Sequence, residues 1–91
     1  MQRDRRKVEK ALKAKGFSRD DRHHHYFLYR TQAGKLTNIR TRTSHGGKEI
    51  GIKLLQQMAR QCHLNRHDFL GLVDCNLSQA DYEEAIADWL D

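Results

Sequence analysis

At 91 residues with a 37% hydrophobic fraction, the chain has enough apolar material for one modest two-layer core and too little for a large enclosed substrate cavity. The net charge of +5 is uneven: residues 1–64 carry 16 Lys/Arg against 5 Asp/Glu, and residues 65–91 carry 1 against 7, so a polyanionic partner would meet the first part and be repelled by the second. No run is apolar and long enough to span a bilayer, and the Arg- and Lys-rich N-terminus lacks the apolar core of a signal peptide, so the expectation is a cytoplasmic protein with no membrane partner.

Arg5 to Lys15 is predicted as a helix, because Val8, Ala11 and Leu12 recur at i, i+3, i+4 and Gly16 supplies a stop before Phe17. Arg6, Lys10 and Lys13 fall on its other face. Residues 18–22 read as a polar loop, after which His23-His24-His25 opens into the aromatic run Tyr26-Phe27-Leu28-Tyr29, expected as a strand from His24 to Arg30. Strand alternation groups His23 with His25 on one face and His24 with Tyr26 on the other. Ala33-Gly34-Lys35 signals a turn into a second strand, Leu36 to Thr43, with Thr37, Ile39 and Thr41 on one face and Asn38, Arg40 and Arg42 on the other.

Past Ser44-His45-Gly46-Gly47, the segment Lys48-Glu49-Ile50 suffices for a short third strand. Ile52 to Cys62 is predicted as a helix with a stripe of Leu54, Leu55, Met58 and Ala59. Asn65 can cap a helix through Leu70, with Asp68 at its third position, and Ser78 with Asp81 opens a last helix whose buried face is Tyr82, Ala85, Ile86 and Trp89. Cys62 and Cys75 are too few for a disulfide scaffold and lack a CxxC partner, so both are expected as small buried thiols in a reducing compartment. The order is helix, three strands, then two or three helices, an α+β class in one domain spanning residues 1–91.

The histidine run carries the chemistry. Imidazole exchanges a proton near neutral pH, so any of the three could act as acid or base, bind metal, or decorate a surface. His23 and His25 stand about 7 Å apart along a strand, but a third ligand would have to come from His45, His67 or a carboxylate, and no Cys or His spacing matches a standard zinc pattern. No metal or other cofactor is expected. Arg40, Arg42 and Lys48 are candidate phosphate contacts. Among the aromatics, Tyr26 is the candidate for stacking on a base, while Phe27, Tyr29 and Trp89 are expected in the core.

Particular residues in this order resemble the HicA family of toxins, also called YcfA-like: Lys15-Gly16-Phe17 at the end of the first helix, the His23 to Phe27 run, His45-Gly46-Gly47-Lys48-Glu49-Ile50, and the helix Leu54-Leu55-Gln56-Gln57-Met58-Ala59-Arg60-Gln61. The resemblance spans residues 5–70, leaving 71–91 as a C-terminal helical extension. It implies a fold like the double-stranded RNA-binding domain, with a three-stranded antiparallel sheet and helices packed on one face. It also implies an mRNA interferase that cuts RNA without metal and a HicB-like antitoxin as partner. The Gly-Ser that precedes the family's catalytic histidine is replaced here by Asp21-Arg22 or Arg22-His23. The catalytic position is therefore His24, followed three residues on by Phe27, or His23 if the register shifts by one. His45 is a candidate second acid/base or phosphate donor. The alternative is a non-catalytic RNA-binding or protein-interaction module of the same fold, in which the acidic last helix is structural or joins copies into a homo-oligomer.

Overall fold

The computed structural model describes residues 2–20, 22–43 and 47–90 and, of His23 and His24, the backbone. The elements run β1 (Gln2–Asp4), α1 (Arg5–Ala14), β2 (Phe17–Asp20), β3 (His23–Arg30), β4 (Leu36–Arg42), β5 (Glu49–Gly51), α2 (Ile52–Gln61), α3 (Arg66–Val73), α4 (Gln79–Ala85) and a closing 3-10 turn, Ala87–Trp89. This is the expected α+β class, built on a three-stranded antiparallel sheet in the order β2-β3-β4.

One strand of that sheet differs from the sequence expectation. The segment read as a polar loop forms β2, with Phe17 opposite Tyr29 and Ser18 opposite Leu28. Only Phe17 of its four residues is buried, so the alternation that marks a half-buried strand is missing from its sequence. The segment expected as third strand instead contributes β5, which pairs with β1 in a separate two-stranded sheet, Arg3 opposite Ile50. That pairing joins residues nearly fifty positions apart, and nothing local announces it.

Helix ends follow local chemistry. The Asp4 carboxylate accepts from the Arg6 and Lys7 N–H groups at 2.9 and 3.3 Å, and both caps expected from sequence form: Asn65 Oδ1 accepts from Asp68 N–H at 2.7 Å, and Ser78 and Asp81 cap each other's backbone N–H. At their other ends, α1, α2 and α3 are each followed by a left-handed residue, Gly16 (φ 100°), His63 (φ 62°) and Cys75 (φ 66°). Gly16 is required twice over: besides its φ, a Cβ there would stand 2.8 Å from the Arg30 carbonyl oxygen and 2.9 Å from the Tyr29 ring, and would strike the Gln79 side chain. Cys62 is buried as expected, with burial pushing its thiol up to about 12. Cys75, expected to be buried, is exposed, because it occupies the left-handed turn position that follows α3.

The core gathers Val8 and Leu12 of α1, Phe17, Phe27, Tyr29 and Ile39 of the sheet, Leu55 and Met58 of α2, Phe69 and Leu72 of α3, and Tyr82 and Ile86 at α4. The acidic C-terminal segment is thus built into the core. Tyr82 packs edge-on to Tyr29, with ring centroids 5.0 Å apart, and donates its hydroxyl to the Cys62 carbonyl at 3.0 Å. The Tyr29 hydroxyl donates to Glu83 at 2.7 Å and accepts from Gln79 at 3.3 Å. Burial, reinforced by Glu83, raises the Tyr29 phenol above its ordinary value. Ala85 and Trp89, expected on the buried face of this helix, are exposed instead. The helix stops at Ala85, and the tighter 3-10 turn that follows carries Trp89 out of the stripe set by Tyr82 and Ile86.

Candidate nucleic-acid interface

Alternation along β3 and β4 separates two sets of side chains. Phe27, Tyr29, Ile39 and Thr41 are buried, whereas Arg40 and Arg42 are exposed and Tyr26 and Leu28 are half-buried. The register places Tyr26 opposite Arg42 and Leu28 opposite Arg40. As a result the Arg40 guanidinium lies 5.1 Å, and that of Arg42 5.7 Å, from the centre of the Tyr26 ring. Each guanidinium is attracted to the shared ring while the two repel one another, so the cluster fits a group carrying negative charge. Among the described residues, no carboxylate forms an ion pair with either arginine; the pairs formed are Arg3–Asp74, Arg5–Glu9 and Arg19–Glu9.

The start of β3, where the histidines lie, is anchored from behind. Thr43 donates its N–H to the His25 carbonyl at 2.8 Å and its hydroxyl to Glu9 at 3.0 Å. Glu9, only 7% exposed, also accepts from Arg19 at 3.3 Å and lies 3.6 Å from Arg5. One buried carboxylate therefore ties α1, β2 and the exit of β4 to the backbone of the histidine strand. Glu9 is not among the candidates named from sequence. The available signal was a single acid in a basic helix, next to the apolar position Val8.

At the exit of β4, the Gln61 side-chain oxygen accepts from the Thr41 hydroxyl at 2.8 Å and from the Arg42 N–H at 3.1 Å, so α2 fixes the strand from which Arg42 projects. His24 lies two positions before Tyr26 on β3, and position 23 is opposite Asp20 in the register. His45 lies outside the described residues. Lys48 lines a different recess, with Arg5, Arg6 and Asp4, where its carbonyl accepts from the Arg5 N–H at 2.8 Å and the Gly47 carbonyl accepts from Arg5 Nε at 2.6 Å. Of the site residues proposed from sequence, Tyr26, Arg40 and Arg42 thus form one cluster and Lys48 lies in a second basic recess. Among the described residues, no group of three or more His, Cys, Asp or Glu side chains is placed to hold a metal ion, and no helix is long and apolar enough to cross a membrane.

Compared with known proteins, residues 5–64 match the family model described as "HicA toxin of bacterial toxin-antitoxin". No curated protein and no solved structure matches the chain.

Proposed function

Because the chain belongs to the HicA toxins of bacterial toxin–antitoxin systems, we propose that it is an endoribonuclease that cuts mRNA on the open face of the β2-β3-β4 sheet. The observation that carries this reading is the cluster of Arg40 and Arg42 over Tyr26, two residues along the strand from His24. RNA supplies a dense row of phosphates for the arginines and bases for the ring.

In this reaction His24 takes the proton from a ribose 2′-hydroxyl, and the resulting oxygen attacks the adjacent phosphorus. The bond to the 5′-oxygen breaks, leaving a 2′,3′-cyclic phosphate on one fragment and, once the leaving oxygen is protonated, a 5′-hydroxyl on the other. Arg40 and Arg42 stabilise the charge that builds on the phosphoryl oxygens. His45 is the candidate acid for the leaving group, Lys48 a more distant phosphate contact, and His23 the base if the register is shifted. The chemistry uses proton transfer and fixed cations, so it needs no metal. An antitoxin of the HicB type would silence it by covering the Tyr26–Arg40–Arg42 face.

The test is cleavage of an end-labelled mRNA by purified protein in EDTA. The wild type is expected to cut, and His24→Ala to lose about 100-fold or more of the rate with an unchanged thermal melt. His23→Ala, by contrast, should keep most of its activity. RNA that is bound but left intact by the wild type would replace this reading with that of a non-catalytic RNA-binding module.

A further inference from the structure

Trp89 is 61% exposed and Leu36 49% exposed, the two large apolar side chains left open on the described surface. They line the same cleft, of about 320 Å3, at the free edge of β4, together with Lys35, Asn38 and His63. The volume lies near the lower end of the roughly 300–1,000 Å3 typical of small-molecule sites.

The cleft has a preformed planar wall. The His63 and Trp89 rings are stacked with centroids 4.2 Å apart and planes only 7° from parallel. His63 reaches that stack from a left-handed backbone position, φ 62°, where glycine is the usual occupant. Two turn hydrogen bonds hold it there, Leu64 N–H to Ala59 O at 2.9 Å and His63 N–H to Arg60 O at 3.0 Å. One face of the indole is covered by the imidazole, and much of the remainder is open to solvent.

The cleft also meets the basic row at one residue, Asn38. Arg42, Arg40 and Asn38 form one exposed row on β4, stepping about 7 Å at a time, and Asn38 is itself part of the cleft wall. A single strand lying along this row brings phosphates to the arginines and a base to the Trp89 wall, with the Asn38 amide able to pair with a base edge. A partner β-strand fits the same edge poorly. The Arg42 N–H on that edge is already taken by the Gln61 side-chain oxygen at 3.1 Å.

We propose that the cleft between Trp89, His63 and Asn38 holds an unpaired nucleobase of the RNA that lies along the Arg40–Arg42 row. This inference rests on the RNA-cleaving reading and specifies its substrate as single-stranded at the β4 edge. It also gives a role to Trp89, a residue beyond the 5–64 segment that matches the family.

Trp89 is the single tryptophan of the chain, so its fluorescence reports on this cleft alone. The full-length protein is titrated with a hexaribonucleotide methylated at every 2′-oxygen, which cannot be cut, and with an abasic ribose-phosphate hexamer of equal charge. Overall binding is followed separately by anisotropy of 5′-labelled versions. The proposal expects saturable quenching of Trp89 by the base-bearing hexamer and little by the abasic one. Trp89→Ala, which removes an exposed side chain, should bind the base-bearing hexamer about tenfold more weakly, with abasic binding and the thermal melt unchanged; Trp89→Phe should recover part of the loss. Rising anisotropy with no quenching, or equal quenching by both hexamers, would overturn the cleft while leaving the RNA-binding face intact. No anisotropy change with either hexamer would remove both. Unchanged RNA affinity in Trp89→Ala, with weakened antitoxin binding, would make the cleft a protein contact and the proposal wrong.

Discussion

The two faces of the β2-β3-β4 sheet use the same strands for opposite ends. On the inner face Phe17, Tyr29 and Tyr82 pack within 6 Å of one another, centroid to centroid. The phenols there are hydrogen-bonded, and no buried side-chain nitrogen or oxygen among the described residues lacks a partner. On the outer face, two guanidinium groups lie over the Tyr26 ring. Stability therefore resides on one side and the proposed RNA contacts on the other. Substitutions can separate them, because exposed charges contribute little to folding.

The largest effect is expected at the seam between sheet and C-terminal segment. Gly16→Ala forces a Cβ into the Arg30 backbone and the Tyr29 ring at a left-handed φ, and urea unfolding should show a loss of about 2–4 kcal/mol. Next, Tyr82→Phe leaves the Cys62 carbonyl without its partner, which should cost about 1–2 kcal/mol in the same measurement. Either variant behaving like the wild type would mean that the C-terminal segment does not hold the inner face.

The inner face also predicts a pH dependence. Burial raises Tyr29, Tyr82 and Cys62 above their ordinary values of 10.0, 10.0 and 9.0, so the folded state favours their neutral forms. Their contribution is complete below those ordinary values and is lost as pH rises from there through the raised native ones. Stability should therefore be insensitive to these groups at neutral pH and fall steadily from about pH 9 upward, with a shallower fall in Tyr82→Phe. Iodoacetamide should meanwhile label Cys75 and spare Cys62 in the native protein.

The smallest effect on stability is expected on the outer face. Arg40→Ala with Arg42→Ala should change the unfolding free energy by no more than about 0.5 kcal/mol. The same pair should lower the slope of log affinity for single-stranded RNA against log salt by roughly 1.4, about 0.7 for each phosphate no longer neutralised. A large loss of stability would mean that these arginines are structural.

What could be read from the sequence follows the range of the interactions concerned. The Asn65 and Ser78 caps were legible because donor and acceptor lie three residues apart. The sorting of Ile39 and Thr41 from Arg40 and Arg42 was legible because alternation is a property of one strand. The β1–β5 pair was not, since Arg3 meets Ile50 from a distant part of the sequence. Nor was the place of Glu9, whose partners Arg19 and Thr43 come from separate elements. Trp89 misled for a local reason: the helical period that assigned it to the core ends four residues before it, at Ala85.

Whether RNA occupies the outer face of the sheet can be read from backbone amide shifts of 15N-labelled protein on addition of the methylated hexamer. Perturbations are expected at Tyr26, Leu28, Asn38, Arg40 and Arg42, with the amides of Leu72, Tyr82 and Ile86 unmoved. Perturbations centred on the exposed lysines of α1, Lys10 and Lys13, with β3 and β4 silent, would contradict that occupancy.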